Sequence, residues 1–170
     1  MNKSYPIGEF DYKEPSKEER DAAIAEIANF PIALESYLEE ANLQWENQYR
    51  EGGWTAAEVL HHLADSHINA FCRMKLCLAE PGSSLRPYDE KEWNKLNSLD
   101  EENLHLSMLT LYGIHSKMAK MLSSCSEEQF QQTIFHPESE QHVSLNWFCM
   151  CYAWHGQHHL AHIKLAFGDL

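Results

Sequence analysis

The sequence predicts an all-α protein, a four-helix bundle with a short extended N-terminal arm. Four long stretches repeat apolar residues at helical spacing, and no stretch alternates as a convincing strand. Capping pairs, prolines and glycines punctuate the ends of those stretches. The 170 residues suit a single domain over 1–170, long enough to bury a core.

Taken in order, residues 1–16 hold Pro6, Gly8 and Pro15 among aromatics and read as the extended arm. From Ser16 to about Ala41, residues Ala23, Ile24, Ile27, Ala28, Ile32, Leu34 and Leu38 mark a first helix. Pro31 is expected to kink or divide it, because proline lacks the N–H that an interior turn needs. A connection over 42–53 ends in Gly52-Gly53. Thr55 with Glu58 forms a capping box for a second helix, which runs to about Ala79 and stops at Pro81-Gly82.

Residues Arg86 to Trp93 read as a polar loop. Ser98 with Glu101 predicts a second box and a third helix through Leu122. Ser126 with Gln129 marks a short further turn. Thr133–Val143 contains Pro137 and reads as loop or a small hairpin before the last helix. That helix begins near Ser144 and ends by Gly168, a suitable glycine just past a helix end.

The formal charge of −13 argues against nucleic acid as a partner, since such binding needs a basic face to displace counterions. It argues equally against anionic membrane surfaces. The five cysteines, Cys72, Cys77, Cys125, Cys149 and Cys151, are odd in number and show no C-x-x-C pair. Cys149 and Cys151 point about 200° apart on a helix, which disfavours a shared metal or disulfide. With no secretory signal at the polar start and no membrane-spanning apolar run, reduced thiols in the cytoplasm are expected.

Histidine carries the chemistry. Histidine is a poor core filler and the commonest metal ligand. In the last helix, with His162 at zero, His158 lies about 40° to one side and His155 about 20° to the other. The three share the apolar stripe with Phe148, Cys151 and Leu165. His158 and His162 stand one turn apart, about 6 Å along the axis, a spacing that lets two imidazoles converge on one metal. An H-E-x-x-H motif would have a glutamate as base where His159 stands, so His159 is set aside as a ligand and peptidase-style water activation lacks its base. In the second helix, periodicity does not choose between His62 and His67, while His61 points elsewhere, within reach of Asp65.

The chain resembles the DinB-like superfamily, most closely its YfiT branch of metal-dependent hydrolases and bacillithiol S-transferases. The resemblance rests on Ser4-Tyr5-Pro6-Ile7-Gly8-Glu9, Tyr49-Arg50-Glu51-Gly52-Gly53-Trp54-Thr55, His61-His62-Leu63-Ala64-Asp65-Ser66-His67, Arg86-Pro87-Tyr88-Asp89-Glu90-Lys91 and Trp154-His155 through His162, in this order along nearly the whole chain. It implies a four-helix bundle, often a homodimer, binding one Ni²⁺ or Zn²⁺ through three side chains. The second-helix ligand, the histidine before Leu-Ala, maps to His62, and the fourth-helix pair maps to His158 and His162. Gln157 stands where the branch commonly has histidine, off the metal face, and the chain ends early at Asp169-Leu170.

The leading functional expectation is a metal-dependent transferase that ionises a small thiol of the bacillithiol type and delivers it to a small electrophile. The alternatives are a small-molecule hydrolase using the same site on water, and a non-catalytic stress-response module braced by the metal. His155, Asp65, Arg86 and Tyr88, with Trp93, are the candidates for pocket or supporting roles. Cys151 reads as a structural thiol.

Overall fold

The first helix starts where Ser16 demands it. In the computed structural model, which describes residues 2–170, the Ser16 hydroxyl accepts from the Glu19 N–H and the Glu19 carboxylate accepts from the Ser16 N–H. Helix α1 then spans Lys17–Glu40. Thr55 and Glu58 open α2, Ala56–Ala79, by the same reciprocal bonds. The polar loop differs from expectation, for it contains a short helix, α3, Glu90–Asn94, nucleated by the Asp89 carboxylate accepting from the Lys91 and Glu92 N–H groups.

Helix α4, Glu101–Ser123, also departs from expectation at its start. Its cap is Asp100, which accepts from the Asn103 N–H at 2.9 Å, and Ser98 donates its hydroxyl to that same carboxylate. A carboxylate at the positive end of a helix outcompetes a hydroxyl two residues further out. A one-turn helix α5, Glu127–Phe130, precedes an antiparallel hairpin, β1 Thr133–His136 with β2 Gln141–Ser144, in which Ile134 pairs with Val143. Helix α6, Leu145–Phe167, closes on Gly168, whose φ of +87° is the left-handed turn glycine accepts most cheaply.

Met1, the first residue of the expected arm, lies outside the described residues. The arm opens with two tight turns, Tyr5 N–H to Asn2 and Gly8 N–H to Tyr5, before running on irregularly to Ser16. Pro31 does not divide α1, which runs through it unbroken.

Helices α1 and α2 each pack against both α4 and α6, so α1 faces α2 across the bundle. Two apolar clusters fill it. One gathers Ile27, Met74, Met118, Leu122 and Phe148, the other Phe30, Leu34, Leu63, Leu111 and Ile163. A layer of histidine separates them: His67 on α2, His115 on α4 and His155 on α6. His67 and His115 are 0% and 1% exposed, a burial an imidazole tolerates only with partners. Among the described residues no helix is long and apolar enough to cross a membrane.

Candidate metal centre

Five imidazoles meet where α2 crosses α6. Helix α2 contributes His62, and α6 contributes His155, His158, His159 and His162. Their ring nitrogens form two groups within 4.8 Å of one another, His62 with His155 and His159, and His158 with His159 and His162. The expected set of His62, His158 and His162 is present in one cluster, but these three do not form such a group among the described residues. His159, set aside on spacing, belongs to both. The reason is that α6 is buried on almost every side, so the angle from its apolar stripe does not select which ring points to a neighbour.

Hydrogen-bond direction separates the rings further. His162 Nε2 lies 3.1 Å from the Lys3 carbonyl, which only accepts, so Nε2 carries the proton. A neutral His162 then accepts at Nδ1, and His159 donates its Nδ1–H across 3.2 Å. His159 is left with a bare Nε2. His155 Nδ1 lies 3.0 Å from His67 Nε2, and His67 Nδ1 lies 2.7 Å from His115 Nε2. His115 Nδ1 is 2.6 Å from the Ile27 carbonyl. By the same logic the protons sit on Nδ1 of His115, His67 and His155, and His155 too has a bare Nε2. Among the described residues no hydrogen bond engages the His62 ring, which stands edge-on to His159 with centroids 4.7 Å apart.

Electrostatics keeps these rings neutral. Burial, reinforced by the neighbouring His158 and His162, pulls His62 down to about 4. Burial likewise holds His158, His162 and His115 at about 4, and His67, His155 and His159 well below the usual histidine range. The charges acting on His62, His155 and His159 are other imidazoles rather than carboxylates. A set of neutral nitrogen donors suits zinc, nickel and copper better than magnesium or calcium. One atom of the cluster supports a polar ligand directly: His158 Nδ1 is buried with no hydrogen-bond partner.

Aromatic rings wall the cluster. Trp54 lies 4.7 Å from His62, Tyr49 stacks on His162 at 4.0 Å, Trp154 stacks on His158 at 4.5 Å, and Tyr5 of the arm lies 5.9 Å from His158. A cleft of about 640 Å³ runs between arm and bundle on the far side of Trp154, lined also by Phe10, Ala23 and Gln157.

The other expected positions lie apart. Asp65 orients no ring of the cluster; its carboxylate accepts from Asn97 at 3.1 Å, and its charge faces His61, which bonds Ser107 at 2.8 Å. These contacts lie on the side of α2 that faces the α3–α4 connection. Arg86 is exposed and offers only its carbonyl, to Arg73. Tyr88 packs on Trp93 at 4.7 Å and has a buried, unpartnered hydroxyl, in a cleft of about 470 Å³ shared with Asn69 and Arg86. Cys151 is buried enough to push its thiol up to about 12. Sequence reading passed over His115; its one signal was a place on the stripe of Met108, Leu111, Met118 and Leu122.

Residues 14–163 match the DinB superfamily. The Bacillus subtilis protein named "Putative metal-dependent hydrolase YfiT" is 38% identical over 165 residues, covering 96% of this chain and 93% of that one. A relative from Oceanobacillus iheyensis with the same style of name is 39% identical, covering 96% and 95%. The solved structure of YfiT superposes with a TM-score of 0.90 at 37% identity, covering 96% of this chain and 95% of that chain; it is described as a probable metal-dependent hydrolase with an unusual four-helix bundle topology. The fold, the helix order and this full-length similarity agree, and the chain belongs to the DinB superfamily.

Proposed function

We propose that this protein is a metal-dependent enzyme that holds one divalent ion, Ni²⁺ or Zn²⁺, through His62, His155 and His159, and transfers a small thiol to a small electrophile. The observation that carries the ligand set is hydrogen-bond direction. His155 and His159 each present a bare Nε2, whereas His162 uses both nitrogens on Lys3 and His159. His155 and His159 also stand one turn apart, so they meet the spacing rule from which His158 and His162 were expected.

A metal bound there supplies Lewis acidity, lowering the pKa of a coordinated thiol or water. The chain's own residues do the rest. Burial keeps the three rings unprotonated and ready to donate. Trp54 covers the outer face of His62, and Tyr49 covers His162 beside the trio. The unpartnered His158 Nδ1 offers a substrate polar atom a hydrogen bond beside the trio. Thiol transfer is favoured because, among the described residues, no carboxylate acts on the trio to serve as a base for water, whereas a thiol is the easier group to ionise. The relatives' descriptions favour a second reading, hydrolysis of a small molecule at the same site.

Metal analysis of the purified protein and five alanine variants tests the site. Loss of stoichiometric metal is expected in His62→Ala, His155→Ala and His159→Ala, and retention in His158→Ala and His162→Ala; the opposite pattern returns the site to the pair expected from spacing. The metallated protein is then given a model electrophile with a low-molecular-weight thiol, or ester and amide substrates alone. Thiol-dependent conjugation is the expected result. Hydrolysis without thiol would select the second reading, and neither activity would leave a non-catalytic metal-braced module.

A further inference from the structure

Pro31 sits inside α1, four residues after Ile27. In an α-helix the carbonyl of residue 27 accepts from the N–H of residue 31, and proline has none. The Ile27 carbonyl therefore faces the bundle without its helical donor, and His115 Nδ1 reaches it at 2.6 Å. From there the chain of bonds passes to His67 on α2 and to His155 on α6, so that it touches all four long helices in turn. Phe30 clamps its middle, stacked 5.2 Å from His115 and tilted 6.1 Å from His67. Gly156 admits that ring, since a Cβ there would fall 2.9 Å from it.

We propose that Pro31, His115 and His67 are positioning residues: they free and relay one backbone carbonyl so that His155 is held as the Nδ1–H tautomer with its Nε2 lone pair facing His62 and His159. The proposal rests on the metal-binding reading above for its purpose, but its geometry stands without metal. A carbonyl has no proton to give, so the direction of every bond in the relay follows from its first member. The alternative direction would point a lone pair at the Ile27 oxygen. An interior proline and two stacked, fully buried imidazoles are poor choices for stability alone, because apolar side chains fill the layers on both sides. Their common endpoint is His155.

The test reads tautomers directly in the metal-free protein, by long-range ¹H–¹⁵N correlation of ¹⁵N-histidine-labelled protein at pH 7. His67, His115 and His155 are all expected as Nδ1–H, against the Nε2–H form free histidine favours. His115→Phe should move His155 toward Nε2–H and weaken Zn²⁺ binding, titrated against a chromogenic chelator, about 10–100-fold. His115→Gln, which keeps an acceptor for His67, should restore both. Pro31→Ala returns an N–H to compete for Ile27; it should raise the melting temperature while lowering Zn²⁺ affinity, a combination that a purely structural proline would not give.

A wild-type His155 found as Nε2–H overturns the proposal, even if the His115→Phe chain fails to fold. So does a folded His115→Phe with tautomer and affinity unchanged. If the tautomers are as expected but no variant or wild type binds Zn²⁺, the relay stands and the metal reading fails.

Discussion

Two chains of hydrogen bonds converge on the trio, and they are built from opposite materials. The inner chain begins at the Ile27 carbonyl, inside a helix and under the apolar core, and crosses the bundle through His115 and His67. The outer chain begins at the Lys3 carbonyl, in an irregular arm, and reaches His159 through His162 alone. Both end in the same chemical state, an imidazole with a bare Nε2. The inner chain runs through His67 and His115, both fully buried, whereas the outer chain starts from an irregular arm. One ligand is thus set through the core and the other through the arm.

Acid should produce the largest effect, and it tests what the two chains share. Both depend on neutral rings, and His115 in the inner and His162 in the outer are each held at about 4 by burial. The folded values lie below the unfolded value of about 6.5, so the unfolded chain takes up protons first. Stability of the metal-free protein is therefore intact above about pH 6.5 and lost as the pH falls toward about 4, which melting curves across that range will follow. A flat profile would mean that the rings are not buried as neutral groups.

The inner chain should be the more costly to cut. His67→Leu strands His115 Nε2 and the His155 Nδ1–H in the core and should lower stability by about 2–4 kcal/mol in denaturant unfolding. Adding His115→Leu should recover little of that loss, since it removes the stranded Nε2 but leaves the Ile27 carbonyl without a donor. Gly156→Ala pushes on Phe30 and should cost about 1–3 kcal/mol through overpacking. His162→Phe, the corresponding cut in the outer chain, should cost less, about 1–2 kcal/mol, because it strands one donor, the His159 Nδ1–H, while the Lys3 carbonyl can turn to water. Equal losses at His67 and His162 would erase the distinction between the two chains.

Much of the bundle was legible in the sequence because its signals are local. The Thr55–Glu58 box, the Pro81-Gly82 stop and the Gly168 terminator each act within one turn of chain, and each fell where expected. The hairpin before α6 was also foreseen as one of two options. Ser98 misled because Asp100, two residues on, is the stronger acceptor. The candidate site was legible as a crowd of histidines and no further. Choosing among His155, His158, His159 and His162 depends on what each second nitrogen meets, and those partners lie at Lys3 and His67, far away in sequence.

Both anchors are main-chain oxygens, and this changes where inheritance must write them. No side-chain replacement at position 3 or 27 deletes a carbonyl, so an exhaustive substitution scan should score both positions for packing alone and stay silent about their chemical part. The instruction for the inner anchor is stored elsewhere: it is spelled by an absent hydrogen four residues downstream, at Pro31.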